Sequence, residues 1–455
     1  MENFKKSTAM PTGARMLWTW HTNAGAFERL TPPWERVEVE TAARVEAGAR
    51  ARFRIGAGPL RLRWEAEIGD IIPGSQFRDR QVRGPFATWE HTHRFLHEAE
   101  DRSVLEDEVR YRLPLGLLGA LAGGGMVRRK LRRMFAYRHE VTRRDLDGWF
   151  RGGMPEPKVI LMTGATGLIG RALVPFLRTL GHTVRTLSRR AAGAGAFRWD
   201  PAAGEIEEGA LEGVQAVIHL AGENIAGGLW TKARRERILR SRVEGTRLLA
   251  ERAAALREPP EVFVCASGVN VYAADGRLRD ENGPGGDGFL AEVCRAWEGA
   301  AATAESAGMR TVFVRTGVVL SPAGGALGKM LPVFRAGLGG PVGGGSQHMS
   351  WIAMDDLLDV YAAAVADDAL RGPVNAVAPQ AVPQREFARV LGRVLRRLAV
   401  VPMPGFVVKG ALGQMGRETL LADLNVVPEV LRRRGHAFRY PRLEDALRHL
   451  LGVSA

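Results

Sequence analysis

Cysteine is nearly absent from this chain of 455 residues, which holds only Cys265 and Cys294. Two thiols cannot build a disulfide framework or a four-cysteine zinc site, and they point to a reducing, cytoplasmic compartment. Lysine is scarce too, confined to Lys5, Lys6, Lys130, Lys158, Lys232, Lys329 and Lys409, so arginine carries nearly all of the formal charge of +14. That bias is the habit of GC-rich codon usage more than of phosphate contacts, and nucleic acid is not expected as a partner. Long apolar runs are missing as well. The long uncharged stretch at residues 113–127 is shorter than the ~20 residues of a spanning helix and is interrupted by glycines, so no transmembrane segment is expected. The opening MENFKKSTAMPTGARMLW sets no apolar segment behind its lysines, so no secretory signal is expected. With 45% hydrophobic and 25% charged residues, the composition is that of a globular protein of two or more domains, which excludes a disordered or collagen-like chain.

What is present falls into two halves with different periods. Residues 15–112 alternate at period two, as in residues 60–68, where Leu60, Leu62, Trp64, Ala66 and Ile68 share one face and Arg61, Arg63, Glu65 and Glu67 the other. This predicts an antiparallel sheet with one wet side. A helix is expected over residues 115–137, then a charged segment, then the linker Arg-Gly-Gly-Met-Pro-Glu-Pro at 151–157. The basic run 128–144 reads as a solvated helix face with Leu131, Met134 and Phe135 turned inward, and peripheral contact with an anionic membrane stays open. The expected domains are residues 1–152 and 157–455.

Residues 86–96 and 103–113 read as a hairpin joined around 98–102. Folding it about its midpoint sets Trp89 opposite Tyr111, His93 opposite Asp107 and Phe95 opposite Leu105, with His91, His93 and Asp107 on the inward face. A His93–Asp107 hydrogen bond would satisfy the buried carboxylate and leave His91 free to meet a ligand; a fully satisfied structural pair is the alternative. Three groups of metal-ligand type are not evident in this pattern, so no metal is expected.

From Lys158 onward, short apolar strands alternate with amphipathic helices, which predicts a doubly wound parallel sheet of the α/β class. The first strand runs directly into Gly164-Ala-Thr166-Gly167-Leu168-Ile169-Gly170 and then a helix. Glycines at this spacing let the backbone turn, approach a pyrophosphate and pack helix on strand, so these residues are expected to hold a dinucleotide. The second strand ends in Ser188-Arg189-Arg190 where an NAD-specific site places an acid on the ribose. A hydroxyl and a guanidinium there suit a 2′-phosphate and favour NADP, unless these arginines merely continue the general surplus.

Further blocks carry a resemblance. His219-Leu-Ala-Gly-Glu-Asn-Ile225, Ser241-Arg-Val-Glu-Gly-Thr246, Trp297-Glu298, Arg315-Thr-Gly-Val-Val-Leu-Ser321, the glycine-rich 343–352 with Asp355-Asp356, and the tail element GHAFRYP occur in order. With the glycine loop they make residues 157–451 resemble the extended short-chain dehydrogenase/reductase superfamily, in its atypical branch labelled nucleoside-diphosphate-sugar epimerase-like. Residues 402–451 resemble that branch's C-terminal domain of unknown function. The resemblance implies that Ala221, Gly222 and Glu223 end the fourth strand beside the cofactor, that Ala266 and Ser267 end the fifth near the nicotinamide, and that Gly317 follows the sixth; Ala221 and Gly317 also suit close packing. It further implies Ser267 as a hydrogen-bond donor to substrate, with Gln347, His348 and Trp351 on the substrate side. The superfamily's Tyr-x-x-x-Lys pair is absent, because Tyr272, Tyr361 and Tyr440 are followed four residues on by Gly276, Val365 and Glu444. Leu290 and Cys294 align with the two places, and Tyr272 is left as a catalytic candidate or a packing residue.

Residues 13–145, strands closed by a long helix, resemble the helix-grip fold of polyketide cyclase/dehydrase and START-like lipid-transfer proteins, which encloses an apolar cavity. The block at 21–35 is similar to the short helical segment of such domains. Together the two resemblances imply an NADP-dependent oxidoreductase or epimerase-like enzyme acting on a small molecule, with a fused domain for an apolar ligand. The alternative is a non-catalytic NADP(H)-binding sensor.

Overall fold

The computed structural model describes residues 1–57, 60–114 and 116–453. They divide into two compact units, Met1–Pro157 with Pro175–His182 and residues 451–453, and Lys158–Val174 with Thr183–Leu450.

The N-terminal unit is built on one antiparallel sheet. Its strands are β1 (Glu2–Met10), β2 (Val37–Thr41), β3 (Arg50–Ala57), β4 (Leu60–Ile72), β5 (Gln76–Arg83), β6 (Thr88–Ala99) and β7 (Arg102–Arg112), in the order β1-β7-β6-β5-β4-β3-β2. The hairpin register agrees with the sequence reading: Trp89 lies opposite Tyr111, His93 opposite Asp107 and Phe95 opposite Leu105. β1 was not foreseen. Its inward positions Glu2, Phe4, Lys6, Thr8 and Met10 mix charged with apolar residues, which hides the period. Nor do strands begin at residue 15, since Ala14–Thr22 (α1) and Ala26–Arg29 (α2) are helical and α1 buries Leu17, Trp20 and His21 on one side.

The closing helix α3 spans Gly116–Trp149, twelve residues beyond the expected end; its expected start, Leu115, lies outside the described residues. The charged segment stays helical because the buried stripe continues through Leu131, Phe135, His139, Thr142 and Leu146, while Glu140 pairs with Arg143 and Arg144 on the wet side. Asp145 on this helix holds Arg29 of α2 through two parallel hydrogen bonds of 2.9 and 2.8 Å. Between sheet and helix, Phe53, Trp64, Trp89, Tyr111, Leu131 and Phe135 form one apolar cluster. The opposite sheet face carries paired charges such as Arg94 with Glu106 and Glu108, the wet side that alternation predicts.

In the C-terminal unit β8 (Val159–Thr163), β9 (Thr183–Ser188), β10 (Ala196–Asp200), β12 (Ala216–His219), β13 (Val262–Gly268) and the strands Arg310–Thr316 and Gly372–Ala376 are parallel. β11 (Glu205–Ile206) is the antiparallel edge, and the order runs β11-β10-β9-β8-β12-β13 and on through Arg310–Thr316 to Gly372–Ala376. Strand order reverses at β8, the switch point where such sheets open a crevice beyond the strands' carboxyl ends. The helices α4 (Leu168–Thr179) and α5 (Lys232–Ala254) follow β8 and β12. Among the described residues no helix is long and apolar enough to cross a membrane.

Candidate functional site

The crevice is bordered by the glycine loop. Gly164 takes a left-handed φ of 71°, and a Cβ there would meet the Leu220 carbonyl carbon at 2.9 Å. A Cβ on Gly170 would lie 2.3 Å from the Gly164 oxygen, so α4 packs on the turn only because that position is bare. Thr166 and Gly167 are exposed at the tip and Leu168 and Ile169 half-buried behind it, and the first N–H groups of α4 have no partner within the helix, the kind of terminus that accepts a phosphate. At the end of β9, Ser188 is half-buried and Arg189 exposed.

Thr163 ties β8 to β12. Its Oγ1 accepts the N–H groups of Leu220 and Ala221, each at 3.1 Å, so its own O–H donates to His219 Nδ1 at 2.8 Å. Burial, with help from the Arg242 charge, pushes the His219 imidazole down to about 3 and keeps it neutral. Beyond β12, Ala221 and Glu223 are half-buried and Gly222 exposed, and a Cβ on Gly222 would press on Arg242 at 3.0 Å. Arg242 lies over the Trp297 ring and donates to the Glu223 carbonyl at 3.0 Å.

Ala266 and Ser267 lie among the last three residues of β13. Ser267 Oγ donates to Glu298 Oε1 at 2.6 Å, and Arg315 grips the same carboxylate with Nε at 2.9 Å and Nη2 at 2.8 Å. Arg315 Nη1 also donates to the Tyr272 hydroxyl at 2.8 Å, which in turn donates to Asn375 Oδ1 at 2.8 Å. Burial raises the Tyr272 phenol, so its proton is held rather than offered. Leu290 and Cys294, on the helix Phe289–Gly299, are buried, and burial raises the Cys294 thiol to about 11.

Gly317 is required by packing, because a Cβ there would meet the Ser350 oxygen at 2.6 Å. Trp351 is 1% exposed in the core. Gln347 donates to the Val342 and Leu420 carbonyls, and the His348 ring meets Asp423 at 2.9 Å. Gln347 and His348 fasten the loop at 343–352 to the rest of the unit through these bonds, while the Trp351 ring is packed in the core with its indole nitrogen unpartnered among the described residues.

The N-terminal unit holds a second polar cluster, on the inward sheet face. His91 Nε2 lies 2.8 Å and His93 Nδ1 2.7 Å from Asp107 Oδ1, while His139 Nε2 from α3 meets Asp107 Oδ2 at 2.7 Å. His91 is therefore not free for a ligand as expected: Asp79, its partner across β5 and β6, takes its other nitrogen at 3.1 Å. Burial opposes a charge on His91, but the Asp79 and Asp107 carboxylates overcome it and raise the imidazole to about 9. Asp79 is also a further group of metal-ligand type, beside His91 and His93, which the hairpin pattern alone did not show.

Residues 160–376 match the NAD dependent epimerase/dehydratase family, 403–450 a domain of unknown function, and 10–136 the polyketide cyclase / dehydrase and lipid transport family. An epimerase family protein of Mycobacterium bovis is 39% identical over 291 residues, 64% of this chain and 96% of the relative. The chain belongs to the epimerase family. The human member, epimerase family protein SDR39U1, is 37% identical over 296 residues, 64% of this chain and 99% of its own length. The crystal structure of the nucleoside-diphosphate sugar epimerase from Corynebacterium glutamicum is 34% identical with a TM-score of 0.80, covering 99% of this chain and 90% of that one. That of human SDR39U1 with NADPH is 36% identical with a TM-score of 0.61, covering 65% and 100%.

In this epimerase family member the sequence pointed to Ser267 and Tyr272 but not to the network that Glu298, Arg315 and Asn375 build around them. Trp297-Glu298 and Arg315 were legible as family blocks, but only the parallel pairing of β13 with Arg310–Thr316, which sets Ser267 beside Arg315, gives them a common carboxylate.

Proposed function

We propose that this chain is an NADP(H)-dependent oxidoreductase of the epimerase-like type, acting on a small molecule at the crevice beyond β8, β12 and β13. One observation carries the cofactor assignment: β9 ends in Ser188 and an exposed Arg189, which makes no ion pair among the described residues, where an acid would select NAD. The bare glycine turn and the first N–H groups of α4 fit a pyrophosphate, and the human relative solved with NADPH supports the reading. Bound there, the nicotinamide supplies hydride transfer. The chain's own contribution is to position substrate and handle its proton. Because the Ser267 proton is held by Glu298, itself clamped by Arg315, Ser267 Oγ does not donate to substrate as expected but orients a substrate hydroxyl by accepting its O–H. Tyr272 stays a scaffold. The N-terminal unit, in this reading, is a helix-grip domain that presents an apolar ligand.

Titration of NADPH and NADH against the wild type and Arg189→Ala tests the assignment. A charge-assisted phosphate contact is worth on the order of 1–3 kcal/mol, so the wild type prefers NADPH by about ten- to a hundredfold and Arg189→Ala loses most of that preference. Equal affinities in the wild type refute it.

A further inference from the structure

The inward face of the N-terminal sheet brings four side chains from three adjacent strands to one point. Antiparallel pairing sets Asp79 of β5 opposite His91 of β6, and His93 of β6 opposite Asp107 of β7. Asp79 Oδ2 lies 3.1 Å from His91 Nδ1 and 3.7 Å from His93 Nε2, and the facing atoms of these three residues all lie within 4.8 Å of one another. A tetrahedral ion with bonds of 2.0–2.1 Å keeps its donors about 3.3 Å apart, a spacing that the two measured distances bracket.

Behind the imidazoles stands a single carboxylate. The far nitrogens, His91 Nε2 and His93 Nδ1, both face Asp107 Oδ1 at 2.8 and 2.7 Å. A carboxylate in that place fixes the tautomer of a metal-bound histidine, leaving the opposite nitrogen unprotonated for the ion. Asp107 is itself anchored from α3 by His139, whose other ring nitrogen meets Thr8 Oγ1 at 2.8 Å.

We propose that Asp79, His91 and His93 ligate one divalent transition-metal ion of the zinc class, with Asp107 as the positioning carboxylate for both imidazoles. The two carboxylates offset the dication, with both imidazoles neutral, and the Arg138 guanidinium, whose charge acts on Asp107 and Asp79, adds one positive charge at the edge of the cluster. The ion replaces the proton that His91 and Asp79 otherwise share, which leaves to solvent. The Asp79 side chain keeps 23% of its surface, and this open side is where a water or a ligand oxygen completes the coordination. Two histidines and one carboxylate with an open position form a reactive type of site, so the N-terminal unit has a polar binding point of its own. The inference does not depend on the cofactor reading, which concerns the other unit.

The test uses the full-length chain without an affinity tag. Metal content is measured after purification free of chelators, and the stripped protein is titrated with Co²⁺, followed by its visible absorption, and then with competing Zn²⁺. One equivalent per chain is expected. Asp79→Asn and His93→Gln should each weaken Co²⁺ binding at least about tenfold, and Asp107→Asn by about 10–100-fold, with circular dichroism unchanged. Should Asp107→Asn fail to fold, the partly exposed Asp79→Asn still decides. Absence of saturable uptake by the wild type, or wild-type affinity in both Asp79→Asn and His93→Gln, overturns the assignment.

Discussion

Two of the loop glycines are bare for different reasons, and single methyl groups separate them. A Cβ at Gly170 would sit 2.3 Å from the Gly164 carbonyl oxygen and 2.7 Å from Ala165 Cα. Both are backbone atoms, with no rotamer to escape into. Carbon–oxygen contacts close in to about 3.3 Å, so Gly170→Ala drives the turn and the first turn of α4 apart by about 1 Å. Overpacking of this kind costs about 1–3 kcal/mol, and it shifts the N–H groups that face a phosphate. At Gly167 the same methyl meets only the Gly164 oxygen, at 3.2 Å, and the position is exposed. The fold tolerates Gly167→Ala, and the loss falls on a pyrophosphate that must approach the backbone there. Thermal unfolding and NADPH fluorescence titration read the two effects separately. Gly170→Ala lowers both the melting temperature and the affinity. Gly167→Ala melts like the wild type but binds NADPH at least about tenfold more weakly, ~1.4 kcal/mol. Wild-type affinity in Gly167→Ala would refute the placement of the pyrophosphate, and wild-type melting in Gly170→Ala would refute the packing argument.

The remaining predictions concern buried polar groups of the same unit. Tyr272→Phe leaves Asn375 Oδ1 and Arg315 Nη1 each without a bond of 2.8 Å, so it should lower stability against urea by about 1–3 kcal/mol while NADPH binding persists; loss of turnover at unchanged stability would make the phenol catalytic instead. His219 stays neutral down to about 3 in the fold but titrates near 6.5 when unfolded. The unfolded chain therefore binds the extra proton between these values, and the stability held above pH 6.5 drains away as pH falls, by about 1.4 kcal/mol per unit. Urea unfolding at pH 7.5 and 5.5 should show a drop about 1 kcal/mol larger in wild type than in His219→Gln, and equal drops would refute the assignment.

What was legible in the sequence is what local geometry alone dictates. The glycine loop belongs here, since Gly164 needs its positive φ and Gly170 its missing Cβ whatever the rest of the chain does. So does the β6–β7 hairpin, because a short turn and period two leave one register. β1 escaped notice because Lys6 and Glu2 stand at inward positions, and Asp79 because β5, Gln-Phe-Arg-Asp-Arg-Gln-Val-Arg, has only Phe77 and Val82 as apolar residues, on opposite faces, so that period two marks no inward side. The crevice network was hidden because it is assembled from residues 267, 272, 298, 315 and 375 by parallel crossovers.

Asp107 demands more partners than the hairpin alone supplies. Its side chain is 3% exposed, and within the hairpin the register sets only His93 opposite it, Lys6 of β1 standing opposite on the other side. An ionised carboxylate offers about four lone-pair sites, however, and one cross-strand bond would leave most of that demand unmet in a low-dielectric interior. Counting lone pairs rather than partners calls for further donors from the diagonal neighbour and from the covering helix, and His91 and His139 stand in those two places. The same count applied to His91 asks where its second nitrogen turns once Asp107 has taken the first. Only a group on the next strand can answer, so burial and valence by themselves require an acceptor across the sheet from His91, the place that Asp79 fills.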